Sequence, residues 1–274
     1  MNWSRTMTVV RTDLKQLIQA KDFWIPMAVL GALFFVIVPF ALLTLITQLG
    51  SVEAIAEVSE TLDALPAAAQ DQVRGATPEG RTGFALAVFL VAPVAVVVPL
   101  TISTAVGAST IVGERERGTG EFLANSPAGV KEIYIGKLIA SIIPGYFTVI
   151  VGFTLYSIIV NLTVGPEVGG WFFPTQSWWV MILWVLPPFL AICLSLVLRL
   201  SARVQSTAAA QQASGLISLP LIMIAYSQAT GVLLGAGWLP FALGGAAWVI
   251  ALVSLSRGVR SVTRGRLLGV AGTV

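Results

Sequence analysis

The sequence predicts an all-α membrane protein with six transmembrane helices and an amphipathic interfacial helix at its N-terminus. Three observations lead to this prediction: charge is scarce, it is confined to short clusters, and its sign differs between alternate clusters. Of the 274 residues, 56% are hydrophobic and only 11% are charged, whereas soluble globular chains carry about 25% charged residues. So few charges cannot hydrate the surface of a soluble protein of this size, and lipid is therefore the expected solvent.

Stretches without any charge mark the membrane spans, because crossing about 30 Å of hydrocarbon needs roughly 20 apolar residues. The predicted spans cover residues 23–49, 84–112, 138–160, 178–198, 208–228 and 238–256. The last two share one charge-free gap, in which Gly231, Gly235 and Gly237 supply the turn. Pro220 and Pro240 leave open whether this last pair is broken or re-entrant.

The distribution of basic residues predicts the orientation of the chain. Six spans place both termini on one side, and that side holds 14 of the 16 Lys and Arg residues. Short basic loops stay in the cytoplasm, so both termini are predicted to be cytoplasmic. The predicted divisions are a cytoplasmic helix (1–22), a six-span domain (23–256) and a basic cytoplasmic tail (257–274). The external loop then covers residues 50–83. The tail has no interleaved aromatic residues, which favours contact with anionic lipid over nucleic-acid binding.

The residue types that are missing exclude several kinds of chemistry. The chain has no histidine and one cysteine, which excludes Ser–His hydrolysis, histidine metal sites, intrachain disulfides and thiolate zinc sites. The predicted spans contain no ionisable side chain apart from Cys193 and tyrosines. Proton-coupled carriers normally need such a group at membrane depth, and intramembrane hydrolases need a nucleophile with a base. The sequence therefore predicts no catalytic residue and no metal site.

The segment before the first span predicts an amphipathic helix. Its apolar residues recur on one face of a 3.6-residue repeat, with basic and polar residues opposite. These apolar residues are Trp3, Met7, Val10, Leu14, Leu17 and Ile18. Two interpretations remain open: an anchor that orients the first span, or a lever that links a cytoplasmic partner to it.

A stripe of small residues lies on one face of the second predicted span. Ser103, Gly107 and Thr110 are spaced i, i+4 and i+7. Small residues let membrane helices approach closely, and hydroxyl groups bond across the interface. The stripe is interpreted as a packing surface, with the lining of a transport pathway as the alternative.

The segment 113–137 is the densest charge cluster of the chain. It reads Gly-Glu-Arg-Glu-Arg-Gly-Thr-Gly-Glu from Gly113, continues through Phe122, Leu123 and Pro127, and ends at Gly136-Lys137. We expect a short helix capped by Thr119, with Phe122 and Leu123 on its apolar face. From the residues alone, this segment is either a solvated loop or a helix that fits a groove in a soluble partner.

Glu114-Arg115-Glu116-Arg117-Gly118-Thr119, followed by a Leu-containing turn to Pro127 and then Gly136-Lys137, resembles the signature of ABC exporter permeases of the type 2 family. The resemblance implies the type V exporter fold, with two identical or homologous permease protomers, each bound by a cytoplasmic ATPase. It also implies that 114–127 forms a short cytoplasmic coupling helix in a groove of that ATPase. The implied contact residues are Glu114, Arg115, Glu116, Arg117, Gly118, Thr119, Glu121, Phe122, Leu123 and Pro127. Gly120 departs from the family pattern, which often has a bulkier apolar residue there.

The resemblance also implies where the energy comes from. This chain lacks a G-x-x-x-x-G-K-[ST] loop, so ATP and Mg²⁺ are expected on the partner ATPase and no cofactor on this chain. The implied function is outward movement of a cargo, and charge-free spans suggest an amphiphilic or drug-like one. The alternatives are a structural or regulatory membrane subunit without transport activity, a channel, or an ion-exporting member of the same family.

Overall fold

The structure is a computed structural model that describes residues 2–48, 50, 55–56, 58, 60, 63, 67–90, 94–119, 121, 125–204, 206–229 and 238–261. These residues form helices and turns and contain no β-strand. The principal helices are α1 (Trp3–Gln19), α2 (Lys21–Ala32), α3 (Val38–Thr47), α4 (Pro78–Ala85), α5 (Val94–Glu116), α6 (Val130–Thr163), α7 (Gln176–Val180), α8 (Leu186–Ser201), α9 (Thr207–Ala229) and α10 (Leu239–Ser261). Short helical turns at Ala67–Gln70 and Gly165–Val168 lie between them.

The all-α membrane architecture is confirmed. In the described part of the chain, five helical stretches are long and apolar enough to cross a membrane: Trp24–Thr47, Val97–Glu114, Val130–Thr163, Gln176–Ser201 and Leu239–Arg260. Helix α9 occupies the position of the fifth predicted span and has 23 residues, but it is not among those five. Several of its side chains lie outside the described part of the chain, to which the count of five applies. The count of six spans therefore stays a prediction.

The third membrane helix begins earlier than its apolar run suggests. We expected the span to begin after Lys137, but α6 runs unbroken from Val130. The Glu132 carboxylate accepts a hydrogen bond of 2.9 Å from the backbone N–H of Gly129. This contact satisfies one of the amide groups that every helix leaves unpaired at its N-terminus. Lys131, Glu132 and Lys137 therefore lie on one rigid helix with the membrane-spanning residues.

Within the part of the chain that the structure describes, three π-helical stretches interrupt the membrane helices, at Leu33–Ile37, Leu86–Leu90 and Met181–Val185. In the second stretch, the Tyr156 hydroxyl donates to the Ala87 carbonyl at 2.6 Å. The Trp178 indole N–H donates to the neighbouring Val88 carbonyl at 3.3 Å. A π-helical turn loosens the regular backbone ladder, and these side chains supply hydrogen bonds to carbonyls at that point.

An aromatic cluster closes the bundle at the end opposite Lys137. Phe153 and Phe173 rings lie 5.4 Å apart, and Phe173 also packs against Tyr156 and Trp178. The buried Asn161 side chain fixes the loop that contributes Phe173, because its amide oxygen accepts from the Phe173 N–H at 3.1 Å. Its amide nitrogen donates to the carbonyl of the same residue.

Candidate functional site

The end of the bundle that carries Asp13, Glu114 and Lys137, which we call the charged end, is held together by a buried lysine. The Lys137 side chain is only 1% exposed, and its Nζ lies 3.2 Å from Asp13 Oδ2 and 3.4 Å from Glu114 Oε1. The same ammonium group donates to the Thr110 carbonyl at 3.1 Å. One side chain of α6 thus joins α1 to the C-terminal part of α5.

The charges in this cluster are balanced. Asp13, Glu114, Arg117 and Lys137 line one small cavity of about 100 Å³, so two carboxylates face two cations. Burial raises the pKa of the Asp13 carboxyl, although the Lys137 ammonium opposes this rise. Balance is needed here because an unpaired charge away from water carries a large desolvation penalty.

Gly136, the neighbour of Lys137, explains how α1 comes close enough to α6. A Cβ atom at Gly136 would lie 2.8 Å from Val9 Cβ and 3.1 Å from the Thr6 carbonyl oxygen. Real Cβ atoms essentially never approach other heavy atoms that closely, so only glycine permits this contact. Gly136 therefore lets α1 approach α6 closely, and Lys137 holds α1 there through its ion pair with Asp13.

Further polar contacts fix the beginning of α1. The backbone N–H of Asn2 donates to the Glu132 carboxylate, and Arg5 Nη1 donates to the Pro127 carbonyl at 2.8 Å. The second contact joins α1 to the end of segment 114–127, for which the family resemblance implies a coupling helix. Helix α1 is therefore attached at its start and near its middle.

The predicted apolar face of α1 is only partly buried. Val10 is buried, while Met7, Leu14 and Leu17 are half-buried. Trp3 and Ile18 remain exposed. The fully covered position beside Val10 is Thr6, so the face that meets α6 is rotated from the predicted stripe toward Thr6, Val9 and Asp13.

The two glutamates of Glu114-Arg115-Glu116 bind different helices. Glu114 faces inward to Lys137. Glu116 accepts a hydrogen bond of 2.8 Å from the backbone N–H of Thr207 and another from the Thr207 hydroxyl. An acceptor with negative charge at this position satisfies an unpaired N–H of α9 and complements the dipole of that helix.

Thr119 closes the C-terminal end of α5. Its backbone N–H donates to the Glu114 carbonyl at 2.8 Å, and its hydroxyl donates to the Glu114 carboxylate. Gly118 adopts a φ of +71°, which suits the chain reversal after the helix. The predicted capping of a following helix by Thr119 concerns residues partly outside the described range.

The structure describes only some residues of segment 114–127. The Asn125 N–H donates to the Glu121 carbonyl at 2.9 Å, which is the spacing of one helical turn. Gly120, Phe122 and Leu123 lie outside the described residues, and nothing is shown of the Arg115 side chain. Glu116, Arg117, Gly118 and Glu121 are exposed, whereas Glu114 is buried.

The stripe of Ser103, Gly107 and Thr110 faces other helices of the same chain. A Cβ at Gly107 would lie 2.8 Å from Leu194 Cδ2, and a Cβ at Gly145 would lie 1.9 Å from Ser103 Oγ. Thr110 Oγ1 lies 3.4 Å from Ser141 Oγ. This placement favours the packing interpretation over a pathway lining.

A second polar network connects α6, α8 and α10. The Tyr134 hydroxyl lies 2.9 Å from Ser195 Oγ, and Ser254 Oγ donates to Ser195 Oγ at 3.0 Å. Arg199 donates to the Ser254 carbonyl. Gly258 gives Tyr134 room, since a Cβ there would lie 2.1 Å from the Tyr134 hydroxyl oxygen.

Sequence reasoning missed Asp13 and this second network. Asp13 had one available signal, because it is the single acidic residue in α1 among Arg5, Arg11 and Lys15. The serines and Tyr134 gave none, since their partners are 59–61 residues away in the chain. Within the described residues, no group of three or more His, Cys, Asp or Glu side chains is arranged to hold a metal ion.

Comparison with known protein families places most of the chain in a transporter family. The model of a family described as "ABC-2 family transporter protein" matches residues 7–236. The matched region extends from α1 through α9 and includes Asp13, Glu114, Glu116 and Lys137. No curated protein matches the chain significantly.

Proposed function

The chain belongs to the ABC-2 family of transporter proteins, and on that premise we propose that it exports a cargo with energy from a separate ATPase. Members of this family are the membrane permease component of ABC transporters and are not themselves catalytic. The chain is accordingly a multi-pass membrane protein. The proposal adds a direction, a partner and a route by which the partner's motion reaches the spans.

The observation that supports this proposal best is the arrangement of bonds around segment 114–127. Glu114 contacts α6 through Lys137, Glu116 contacts α9 through Thr207, and Pro127 contacts α1 through Arg5. A force on this segment would therefore reach four helices together, α5 included. Packed helices linked in this way move as a rigid body, which is the kind of motion that domain closure can drive.

The exposed part of the segment is the proposed ATPase contact. Arg117, Gly118 and Glu121 face outward, and Phe122 and Leu123 supply the apolar anchors that protein interfaces concentrate at their centre. Glu114 has its carboxylate turned toward Lys137. We therefore assign Glu114 a positioning role, while Arg115, Arg117, Glu121, Phe122 and Leu123 touch the partner.

The remaining parts of the proposal follow from the family and the charge distribution. ATP and Mg²⁺ bind the partner ATPase, whose hydrolysis of ATP supplies the energy. A second permease protomer, identical or homologous, completes the pathway, and both termini lie in the cytoplasm. The apolar interiors of the spans favour an amphiphilic or drug-like cargo.

Copurification and coupled hydrolysis test the proposal. The full-length chain is coexpressed with candidate ABC ATPases that contain a Walker A motif, and ATPase activity is measured in proteoliposomes with and without the chain. Arg115→Ala and Phe122→Ala are expected to weaken binding and to abolish coupling. Glu60→Ala, an exposed acidic residue of the predicted external loop, is the control and is expected to retain both.

Two results would overturn the proposal. Retention of binding and coupling by Arg115→Ala, Glu116→Ala and Phe122→Ala together would remove segment 114–127 as the ATPase contact. ATPase association without any ATP-dependent movement of amphiphilic dyes or ions would favour the alternative of a structural or regulatory subunit. ATP-dependent ion movement alone would identify the ion-exporting alternative.

A further inference from the structure

A groove on the membrane-facing surface of α1, α2 and α6 is not used by the proposed coupling mechanism. Its volume is about 710 Å³, and its walls include Leu17, Trp24, Ala28, Phe147 and Leu155. None of the described residues that line it carries a charge. The Thr148 hydroxyl in the wall is already used, because it donates to the Pro144 carbonyl at 2.8 Å.

The groove faces the hydrocarbon region of the membrane. In an apolar stretch of 18 residues within Trp24–Thr47 only 22% of the residues are buried inside the protein, and in such a stretch within Val130–Thr163 only 39% are. Phe147, Val151 and Leu155 in the wall all keep large exposed fractions. Small residues on α2, namely Ala28, Gly31 and Ala32, leave the space open, and Phe35 lies against Gly152 at its far end.

Two basic residues precede wall residues on α1 and α2 by a single helical turn. Lys21 precedes Trp24 by three residues and Ala28 by seven, so it lies on the same helical face as these wall residues. Lys15 precedes the wall residue Ile18 by three positions on α1. Both lysines are exposed, and neither of the salt bridges among the described side chains involves them. The nearby Asp13 carboxylate is already paired with Lys137.

An apolar channel with a cationic mouth matches one class of membrane component. We infer that this groove is a binding site for an anionic phospholipid, with its acyl chains along α2 and α6 and its headgroup between Lys15 and Lys21. A zwitterionic phospholipid would fill the channel, but its own choline cation would offset the phosphate that meets the two ammonium groups. Under the proposed orientation the mouth faces the cytoplasmic leaflet, where anionic lipids attract basic segments.

A lipid bound in this groove would stabilise the packing of α1 against α2 and α6. Leu17 borders both this groove and the cavity that holds Asp13 and Lys137. A bound lipid therefore covers the side of α1 that the protein leaves open, and it contacts α1, α2 and α6 at once. A ligand that binds only this arrangement stabilises the attachment of α1 by mass action.

Native mass spectrometry of the delipidated full-length chain, with its ATPase when the two copurify, measures this binding directly. The probes are phosphatidylglycerol and phosphatidylcholine with identical acyl chains. Each lysine near an anionic lipid is expected to strengthen binding about fivefold, so phosphatidylglycerol should bind roughly 25-fold more tightly. Equal affinity for the two lipids would overturn the inference.

Substitutions of exposed lysines test the headgroup contact without disturbing packing. Lys15→Gln with Lys21→Gln should lower the affinity for phosphatidylglycerol to that for phosphatidylcholine. Lys131→Gln, another exposed lysine at the charged end, should leave the preference intact. A preference that survives the double substitution, or one that Lys131→Gln removes equally, would contradict the assigned mouth.

A filled groove tests the acyl-chain contact. Ala28 lines the groove and Val29 does not, although Val29 is 62% exposed to the membrane. Ala28→Phe should abolish the tight binding of phosphatidylglycerol, and Val29→Phe should preserve it. Unchanged binding in Ala28→Phe would place the lipid elsewhere; if that variant fails to fold, the lysine variants decide the question.

Two further measurements distinguish phospholipid binding from a simple anion site and from a contact between protomers. Glycerophosphoglycerol, which has the headgroup without acyl chains, should not compete with the lipid; full competition would indicate a simple anion site and overturn the inference. A change of oligomeric state in Ala28→Phe, with lipid binding retained, would identify the groove as a contact between protomers and would also overturn it.

Discussion

Lys137 Nζ lies 3.2 Å from Asp13 Oδ2, and this contact attaches the N-terminal helix to a membrane helix 124 residues away in the chain. The same lysine binds Glu114, so it joins three helices at one buried point. Its neighbour Gly136 removes the Cβ that would keep α1 at a distance. The Gly136-Lys137 pair is therefore the place where α1 becomes part of the bundle.

Removal of the buried ammonium should destabilise the protein strongly. Lys137→Met leaves two carboxylates without their shared cation, and breaking a buried ion pair costs about 3–5 kcal/mol of unfolding free energy. Denaturant unfolding in detergent, followed by circular dichroism, measures this loss. Lys131→Met, at an exposed position of the same helix, should change stability by less than about 0.5 kcal/mol.

Neutralising the partners as well should restore much of that stability. Asp13→Asn, Glu114→Gln and Lys137→Met combined remove all three charges, and buried ion pairs are often replaceable by neutral groups of similar volume. Equal unfolding free energies for the single and the triple variant would argue against a charge-based role for Lys137.

A side chain at position 136 should detach α1 from α6. Gly136→Ala puts a Cβ 2.8 Å from Val9 Cβ. Each Cβ atom is bonded directly to a helix backbone and cannot rotate away, so α1 and α6 must move apart. Limited proteolysis at Arg5, Arg11 or Lys15 should become faster. Gly215→Ala is the matched control, since nothing lies within 4 Å of a Cβ at that helical glycine.

A smaller partner should relieve the same clash. Val9→Gly combined with Gly136→Ala removes the Val9 Cβ and Cγ1 atoms that the added methyl group would meet at 2.8 and 2.9 Å, so protease resistance should return part of the way toward the wild-type value. Failure of this rescue, with Val9→Gly alone resistant, would mean that Gly136 acts through something other than close helix packing.

Loss of the Glu116 carboxylate should loosen the start of α9. Glu116→Ala leaves the Thr207 N–H without its acceptor, which costs about 1 kcal/mol for a helix terminus. Hydrogen exchange of residues 207–211 should then accelerate about fivefold. Glu121→Ala, an exposed acidic residue that follows the end of α5, should leave that exchange rate unchanged.

The tyrosine beside the second π-helical stretch should matter more than the one beside the third. Tyr156→Phe leaves a fully buried Ala87 carbonyl without its 2.6 Å bond, at a cost of about 1–3 kcal/mol. The Tyr146 bond to the Ile182 carbonyl is longer, at 3.2 Å, and only partly buried. Tyr156→Phe should therefore unfold at a lower temperature than Tyr146→Phe. The reverse order would contradict the greater importance of the Tyr156 hydrogen bond.

Cysteine labelling in whole cells tests the orientation. Cys193→Ser gives a cysteine-free background because the chain has one cysteine. An impermeant maleimide should label Glu60→Cys in intact cells and Arg203→Cys only after permeabilisation. Labelling of Arg203→Cys in intact cells would reverse the topology inferred from the basic residues.

The positions of the helices could be predicted from the sequence because hydrocarbon imposes a length and a composition on each span. The predicted run 178–198 lies within the stretch from Gln176 to Ser201, and 238–256 nearly coincides with α10 (Leu239–Ser261). Helix ends were predicted less well. Lys137 was placed outside its span because a charge usually marks a loop, whereas here Asp13 and Glu114 neutralise it on a continuous helix.

The sequence by itself determined that this chain is an all-α membrane protein, and it singled out Glu114, Glu116, Gly136 and Lys137 through a recognisable pattern. It did not determine what these residues bind. Asp13, Val9 and Thr207 became their partners only when α1, α5, α6 and α9 packed together. The physical reason is range: hydrophobicity acts on each segment wherever it lies, whereas an ion pair or a close glycine contact needs two surfaces within a few ångströms.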